Sequence, residues 1–574
     1  MKALSEAIHV FQQAVKLTPL DHIMLPKRLA DLGMSYQSCF QRKGDMTDLI
    51  EAIQKFQQAV KLTPEDLPKW LNNLGISYQS CFERTGNIAD LDKAIQNQKQ
   101  AVELIDEGYS DQPKFLSNLG VSYHSHFKRT GKMTDLAEDT QNLQQAVALT
   151  SEGHSDLPIR LNNLRALYKS HFESTGNMEY LKMAIQNLQQ AVKLTPEGHS
   201  DLANRLCNLG SLYQTNFERP GNIKDLADAI QNLQQAVNFT PEGHSDLSSR
   251  LNNLGILYRS RFERTGDIQD VTNAIQKFQQ AVKLTPEGHS DLSSRLNNLG
   301  ISYQSHFDRT GDMADLAEAI KNKQHTVKLT PKGHSDLPGI LNNLGISYES
   351  RFKRLGDMTD IAQAIKNKQQ AVNLTSEGHS DMPARLNNLE ISYEDCFNRT
   401  GHIKDLEKAI HSKQQAVKLA PENHSDLPKW LSNLGVSYHS YFNRTGDMAD
   451  LKKAIQNKQR AVKLIPEGYS NLPKCLSNLA NSYKSHFYRT RNLADLLEAI
   501  QNLQQAVKLT PEGHSDLSNR LSNLGSSYHC HFESTGNMVY LVEAIQNLQQ
   551  AVRLMPEGHS DYTQQFGNLI SKSL

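Results

Sequence analysis

Histidine and cysteine are the residues of this sequence that could bind a metal ion or act as nucleophiles. The chain contains 22 histidines and six cysteines. Many of the histidines recur in one connecting segment with the wording Glu-Gly-His-Ser-Asp: His154, His199, His244, His289, His334, His379, His514 and His559. A histidine that always returns with the same turn-forming neighbours is typical of a structural turn, so we predict turn and capping roles for this set.

One histidine cluster, His529-Cys530-His531, invites a metal interpretation. On a helix, residues i and i+2 point about 200° apart, so these two histidines cannot share one ion. A second hypothesis is zinc bound between His486 and His531, which occupy equivalent positions in neighbouring segments. The cysteines form no close pair, which argues against a disulfide framework and a Cys-x-x-Cys site. We therefore expect reduced thiols and no metal.

The sequence contains no motif that would carry catalysis or hold a cofactor. Gly131-Lys132-Met133-Thr134 lacks the glycine spacing and preceding strand of a phosphate-binding loop. Carboxylates recur at predicted helix starts, where free amides and the helix dipole favour them. No pair of carboxylates stands out as acid and base, and no Ser/His/Asp set stands apart from the repeats. The sequence predicts a non-catalytic protein without a cofactor.

Charge and hydropathy limit the partners. Lysine plus arginine and aspartate plus glutamate both total 62, so the formal net charge is zero. Such a balance gives no strong field to collect nucleic acid or anionic lipid. No stretch approaches the roughly 18 uninterrupted apolar residues that cross a membrane. We expect a cytoplasmic protein that binds neither nucleic acid nor membrane.

The strongest pattern in the chain is a repeat. Tyrosine recurs at a first step of 42 residues and then ten steps of 45: Tyr36, Tyr78, Tyr123, Tyr168, Tyr213, Tyr258, Tyr303, Tyr348, Tyr393, Tyr438, Tyr483 and Tyr528. Each repeat contains two segments with apolar residues at helical spacing, here named helix A and helix B. Neither helix can bury its apolar face alone, so consecutive pairs must stack.

The repeat beginning at Ser245 shows the helix boundaries. Helix A carries its apolar stripe from Leu251 to Phe262 and should end near Thr265, because Gly266 suits the left-handed closing residue. Asp267 should cap helix B. Helix B carries Val271, Ala274, Ile275, Phe278, Ala281 and Val282 on one face, with glutamines and lysines opposite. In the connector, Ser290 or Asp291 is expected to cap the next helix A.

Leu251, Leu254, Gly255 and Tyr258, followed by Ala274, Phe278, Ala281 and Pro286, resemble the signature of tetratricopeptide (TPR) repeats. The period of 45 exceeds the usual 34 of that family. The resemblance implies an all-α fold, a right-handed α-solenoid of about twelve helix pairs. The wording LNNLG, FERTGD and QQAVKLTPEGHSDLP also resembles fungal TPR arrays found N-terminal to caspase-like CHAT domains, but the sequence carries no such domain.

The repeat boundaries predict one continuous solenoid over residues 1–574. Twelve A/B pairs span 25–556, preceded by an orphan helix B at 3–18 and followed by a partial helix A at 561–572. Solenoids normally end in polar caps. We therefore expect a longer array, an incomplete gene model, or self-association through the uncapped ends.

The TPR resemblance places ligand-binding residues on the concave side, six before, two before and one after the repeat tyrosine. In four central repeats these are Asn252, Ile256, Arg259, Asn297, Ile301, Gln304, Asn342, Ile346, Glu349, Asn387, Ile391 and Glu394. The asparagines could bond a peptide backbone or form a ladder between repeats. The isoleucines could form an apolar groove or be buried between long helices. Residues one after the tyrosine predict a basic-to-acidic gradient that would give a ligand direction.

Three repeats break the pattern at the glycine three before the tyrosine, where Arg165, Glu390 and Ala480 stand instead. Arginine or glutamate cannot pack as glycine does, so we predict local splaying or reorientation of those two helix pairs.

The sequence as a whole predicts a protein-protein interaction scaffold that holds a peptide or helix of a partner protein. One alternative is the sensing or oligomerising part of a fungal CHAT-type defence or cell-death system, with the effector on another chain. Another is RNA binding by one helix pair per base.

Overall fold

The computed structural model describes residues 2–62, 66–106, 108–219, 221–466 and 469–554. These residues form 25 α-helices and no strand. The helices alternate as A and B from the second helix onward, which gives twelve A/B pairs in the described chain. The prediction of an all-α, TPR-like array of helix pairs is therefore confirmed. The predicted partial helix A at 561–572 lies outside the described residues.

Internal contacts divide the chain into two units, Met1–Leu284 and Thr285–Leu574. The helices of the first unit are α1 (Lys2–Lys16), α2 (Leu25–Lys43), α3 (Met46–Leu62), α4 (Leu67–Thr85), α5 (Ile88–Glu103), α6 (Gln112–Thr130), α7 (Met133–Ala148), α8 (Leu157–Thr175), α9 (Met178–Lys193), α10 (Leu202–Glu218), α11 (Ile223–Asn238), α12 (Leu247–Thr265) and α13 (Ile268–Lys283). The even-numbered helices are helices A and the odd-numbered ones helices B.

The second unit continues the same alternation. Its helices are α14 (Leu292–Thr310), α15 (Met313–Leu329), α16 (Leu337–Leu355), α17 (Met358–Asn373), α18 (Met382–Thr400), α19 (Ile403–Leu419), α20 (Leu427–Thr445), α21 (Met448–Leu464), α22 (Leu472–Thr490), α23 (Leu493–Lys508), α24 (Leu517–Thr535) and α25 (Met538–Arg553). Within each unit, every helix A packs against the helix B that follows it and, where the same unit contains one, against the helix B that precedes it.

The turn within a pair has the predicted geometry. Gly266 closes α12 with a left-handed φ of 74°, and its N–H donates to the Phe262 carbonyl at 2.7 Å. The Asp267 carboxylate then accepts from the Gln269 N–H at 3.0 Å and caps α13. Both predicted boundaries are confirmed.

The connector between pairs differs from the prediction. Asp291 precedes α14, but its backbone is helical (φ −81°, ψ −10°) and its side chain caps no amide. Its carboxylate lies 2.9 Å from Nη2 of Arg295, while its N–H donates to Nδ1 of His289 at 3.1 Å. The expected cap by Ser290 or Asp291 is therefore wrong, because the helical backbone directs the carboxylate to residue i+4. The turn role of the connector histidine is confirmed.

The recurring tyrosine bridges consecutive pairs. Gln324 on α15 donates to the hydroxyl of Tyr348 on α16 at 2.6 Å, and Gln504 on α23 does the same to Tyr528 on α24. The Tyr348 side chain is 7 % exposed, so its ring is buried while its polar end is satisfied. This bond explains why tyrosine and the first glutamine of the Gln-Gln-Ala-Val run recur together.

The glycine three before the tyrosine marks the closest approach of helices A and B. A Cβ built on Gly345 would lie 2.6 Å from Cγ of Lys368, closer than such atoms pack. Where glycine is replaced, however, the pairs remain packed: Glu390 is fully buried, and so is Leu188, which stands opposite Arg165 in the repeat register. The predicted splaying is therefore wrong.

Candidate functional site

The predicted isoleucines lie in the middle of consecutive helices A. Ile301, Ile346 and Ile391 on α14, α16 and α18 are half-buried, and Val436 on α20 continues the series. Within the second unit, α16 contacts both α14 and α18. Ile256 occupies the equivalent, half-buried position of α12 in the first unit. We name Ile301, Ile346, Ile391 and Val436 the aliphatic stripe.

Of the four predicted asparagines, Asn342 is more buried than the isoleucines of the aliphatic stripe. Asn342 is 9 % exposed, and its Oδ1 accepts from Nδ2 of Asn388 in the next helix A at 3.1 Å. Asn118 donates to Asn72 at the same distance in the first unit. These two pairs form the ladder between repeats that the sequence left as an alternative. Asn252, Asn297 and Asn387 are half-buried.

The residues one after the tyrosine are used between repeats. Gln304 and Glu349 are both 8 % exposed, and each accepts a bond from a serine of the next helix A. Ser347 Oγ lies 2.6 Å from Oε1 of Gln304, and Ser392 Oγ lies 2.7 Å from Oε2 of Glu349. The two central residues of the expected basic-to-acidic gradient are therefore buried.

The outer members of that series remain partly accessible. Arg259 stacks over the Phe278 ring with 5.9 Å to its centroid, and its Nε lies 3.7 Å from the Glu263 carboxylate. Glu394 accepts from the Nζ of Lys413 at 3.1 Å, with 29 % of its side chain exposed. These two residues bring one cationic and one anionic group to half-buried positions on helices A.

A row of four buried lysines lies beneath the helices A of the second unit, and sequence reasoning missed it. Lys323, Lys368, Lys413 and Lys458 on α15, α17, α19 and α21 are 1–2 % exposed. Of the other repeats, one carries Gln98 at this register and the rest carry apolar residues: Phe56, Leu143, Leu188, Leu233, Phe278, Leu503 and Leu548. The available signal was the change of Asn-Leu-Gln to Asn-Lys-Gln or Ser-Lys-Gln in four successive repeats. We call these four residues the buried lysine row.

Each lysine of the row reaches from its own pair to the next. The Cγ of Lys368 passes Gly345 of its own helix A, and its amine donates to Ser392 Oγ at 2.7 Å and the Asn388 carbonyl at 3.0 Å in the next. Equivalent serines, Ser347, Ser437 and Ser482, accept from the other three amines at 2.6–2.7 Å. The stem therefore fills apolar space while the amine joins adjacent pairs.

The carboxylates that face this row are unevenly distributed. Lys368 binds Glu349, while Lys413 lies 2.9 Å from Glu390 and 3.1 Å from Glu394. Although burial raises the pKa of Glu349, the Lys368 and Lys353 amines bring it below its usual value. Burial raises the pKa of Glu390 to about 7, against the opposing effect of Lys413.

The two outer lysines have neutral neighbours instead. Gln304 stands beside Lys323 at the place that Glu349 takes for Lys368, and His439 stands beside Lys458. Burial lowers the pKa of Lys323 and of Lys458 to about 7. Burial and the nearby Lys458 lower the pKa of His439 to about 4.

In the first unit, Asp139, His124 and Ser170 are hydrogen-bonded in the order of the acid, base and nucleophile of a hydrolase triad. His124 lies 2.8 Å from Asp139 through Nδ1 and 3.3 Å from Ser170 through Nε2. Ser170, however, is 6 % exposed in the interior of α8, where intrahelical bonds occupy the backbone amides that could bind an oxyanion. His439 contacts Ser485 in the same way without any acid. The arrangement is a hydrogen bond between repeats.

The proposed zinc pair does not come together. His486 binds Asp495 through Nδ1 at 2.8 Å, and His531 stacks on Tyr540 with ring centroids 3.8 Å apart. Within the described ranges no group of three potential ligands could hold a metal ion. A search of the same residues for a helix of membrane-spanning length and hydropathy finds none.

No family model and no curated protein matches the chain. Solved structures do resemble it: the C-terminal part of a TPR repeat-containing protein from Cytophaga hutchinsonii shares 14 % identity, covering 54 % of this chain and 98 % of that one with a TM-score of 0.38. The APC/C hetero-tetramer Cut9-Hcn1 shares 13 % over 98 % of each chain, with a TM-score of 0.32. Yeast Tom70 shares 15 % over 96 % and 95 %, with a TM-score of 0.29. The TPR-like description of this chain rests on its own helix pairs and their signature residues.

Proposed function

We propose that the chain is a protein-interaction scaffold, and that helices A of its second unit bind a segment of a partner protein. The observation that supports this is the aliphatic stripe. Four consecutive helices A each place one half-buried aliphatic side chain at the same register. A contiguous row of accessible apolar side chains is typical of a surface that binds another chain.

The proposed ligand is an extended or amphipathic helical segment with apolar side chains at regular intervals. Asn297 and Asn387 lie one helical turn before Ile301 and Ile391, and their amides would bond polar groups of the segment. Asn342 and Ile346 take the equivalent positions on α16, where the amide also serves the ladder. In the first unit Asn252, Ile256 and Arg259 make up the same register and form the proposed counterpart.

Charge would set the direction of the ligand more than its affinity. Gln304 and Glu349 are buried, so within the second unit Glu394 is the member of the predicted gradient that a ligand would contact. A non-catalytic scaffold needs nothing further from these residues than shape and polarity.

Photo-crosslinking from two positions of α16 tests the proposal. A benzophenone amino acid at Ile346 should capture a discrete protein partner in cells, whereas the same probe at Leu355, which is 64 % exposed, should not. Ile301→Glu should weaken capture at 346 by about tenfold or more, since a charge in an apolar contact costs well over 1 kcal/mol. Equal labelling from both positions, or capture unaffected by Ile301→Glu, would refute the proposal.

A further inference from the structure

The buried lysine row is confined to four successive repeats of the second unit. At the same register the repeats near the end of that unit carry Leu503 and Leu548, and their helices B, of 16 residues, are as long as α17, which carries Lys368. Lysine is therefore no requirement of the fold at this position. A buried amine is costly unless it is paired and hydrogen-bonded, so its repeated use indicates a property that leucine cannot give.

The row is matched by carboxylates at its centre and by neutral groups at its ends. Lys368 faces Glu349, and Lys413 faces Glu390 and Glu394. Around Lys323, α14 contributes Gln304 and the more distant Asp308, and α16 contributes Ser347 and the Asn343 carbonyl. Around Lys458, α20 contributes His439, and α22 contributes Ser482 and the Asn478 carbonyl. No described carboxylate touches either outer amine.

We infer that the lysine row makes the packing of the second unit respond to protonation: protonating the Lys323 and Lys458 amines loosens their contacts with the next helix A, and deprotonating them tightens these contacts. The central lysines carry their own counter-charges and are expected to respond less, although burial also lowers the pKa of Lys368. The inference concerns the stability of the stack and does not depend on the proposed ligand.

The direction of the effect follows from proton linkage. Burial holds the pKa of both outer lysines near 7, below the ordinary lysine value of 10.5. Between these values the unfolded chain binds more protons than the folded one, so stability rises with pH. Below about pH 7 both amines are charged and the full desolvation cost is present. Each lysine should change the unfolding equilibrium by more than about tenfold between pH 7 and pH 9.

The two tryptophans of the protein allow each unit to be observed alone. Trp70 lies on α4 of the first unit, and Trp430 lies on α20 between the helices that carry Lys413 and Lys458. In a Trp70→Phe background, the urea midpoint followed by Trp430 fluorescence should rise from pH 7 to pH 9. In a Trp430→Phe background, the midpoint reported by Trp70 should rise far less.

Four substitutions then assign the response to the lysine row. Gln304→Glu and His439→Glu give Lys323 and Lys458 the carboxylate that Glu349 gives Lys368, so each should raise the midpoint at pH 7 and reduce its pH dependence. Lys323→Leu and Lys458→Leu place the residue of other repeats at this register and should also flatten the pH dependence.

The opposite exchange supplies the control. Glu349→Gln leaves Lys368 without its carboxylate and should lower the midpoint at pH 7 while steepening its rise toward pH 9. If Trp430 reports no more pH dependence than Trp70, or if Gln304→Glu, His439→Glu and both leucine variants keep the wild-type slope, the inference is overturned.

Discussion

The amine of Lys413 lies 2.9 Å from the Oε2 of Glu390, a carboxylate that stands where most other repeats carry glycine. The pair turns the closest point of a helix hairpin, normally glycine against an apolar side chain, into a fully buried ionic contact. Glu394 adds a second carboxylate to the same amine at 3.1 Å. Lys413 thus has one more acid than its charge requires.

The surplus carboxylate predicts a pH-dependent cost. Burial raises the pKa of Glu390 to about 7, so the folded state binds an extra proton between the ordinary glutamate value of 4.5 and about 7. Stability therefore falls as pH rises through this window, and the cost is complete above pH 7. Glu390→Gln should raise the free energy of unfolding by about 1–2 kcal/mol at pH 8 and by much less at pH 5.

Urea unfolding at both pH values measures this difference. Glu377→Gln, in an exposed connector, is the matched control and should change neither value. A Glu390→Gln variant less stable than the wild type at pH 8 would show that Lys413 needs both acids.

Arg165 is a half-buried cation whose Nε is buried, and it has no carboxylate partner among the described residues. It donates to Asn162 at 2.9 Å, its Nε has no hydrogen-bond partner, and burial lowers the pKa of its guanidinium. Glycine in a helix costs about 1 kcal/mol, but an unpaired buried charge costs several. Arg165→Gly should therefore raise the free energy of unfolding by about 1 kcal/mol or more in thermal or urea denaturation.

Gly210→Arg is the reverse change in the next repeat. A Cβ at Gly210 would lie 2.0 Å from Cδ1 of Leu233, so this variant should be destabilised by about 3 kcal/mol. Loss of stability in both variants would mean that the Arg165 repeat has adapted to its arginine.

Arg491 closes α22 with a φ of 57°, and it is the one non-glycine residue with a positive φ in the described chain. A side chain in this region costs about 1 kcal/mol relative to glycine. Arg491→Gly should raise the free energy of unfolding by about that amount, and Gly446→Arg at the equivalent turn should lower it equally. If Arg491→Gly is neutral, the stacking of the guanidinium over Phe487, 5.9 Å from its centroid, offsets the backbone cost.

Asp139 stands in α7 where the other repeats have alanine. It is fully buried, one carboxylate oxygen has no partner, and burial raises its pKa to about 6. The folded state binds an extra proton between the ordinary value of 3.8 and about 6, so stability falls as pH rises through that window. Asp139→Ala should add about 2 kcal/mol at pH 8 and less at pH 5.

Chemical denaturation of Asp139→Ala at pH 5 and pH 8 tests this. Ala229→Asp places the same carboxylate two repeats on, where neutral Gln214 stands at the His124 position, and should destabilise that repeat more than Asp139→Ala stabilises its own. An Asp139→Ala variant that loses stability at pH 8 would assign a net favourable role to the contact with His124.

The fold could be predicted from the sequence because twelve repeats each carry the tyrosine, and most of them carry the glycine and the alanine at the same spacing from it. Gly266 and Asp267 fixed the turn within a pair by local chemistry alone. The predicted cap in the connector was wrong because the prediction considered Asp291 alone, whereas Arg295 one turn later binds the Asp291 carboxylate.

The site was readable only in part. Ile301 and Ile346 are half-buried on neighbouring helices A, and their role in binding stays a prediction. Gln304 and Glu349 were expected to face a ligand, but they are buried and accept hydrogen bonds from serines of the next helix A. The sequence analysis placed the lysines of helix B on its polar face. Lys323 is buried instead, because it stands at the position that Phe278 takes in the preceding repeat. Its long apolar stem substitutes for a leucine while its amine reaches a serine of the following repeat.

Because Lys368 takes its counter-charge from Glu349 and its other bonds from Ser392, the array cannot be recombined at arbitrary breakpoints. Removing residues 305–349 would rejoin the chain in frame with one helix pair fewer, yet it would seat Lys368 beside Gln304. A deletion of equal length from connector to connector, removing residues 286–330, would take out α14 and α15 and retain Glu349 with Lys368. Gains and losses of repeats in this protein's ancestry are therefore expected to break in the connectors between pairs, where the lysine and its carboxylate are inherited together.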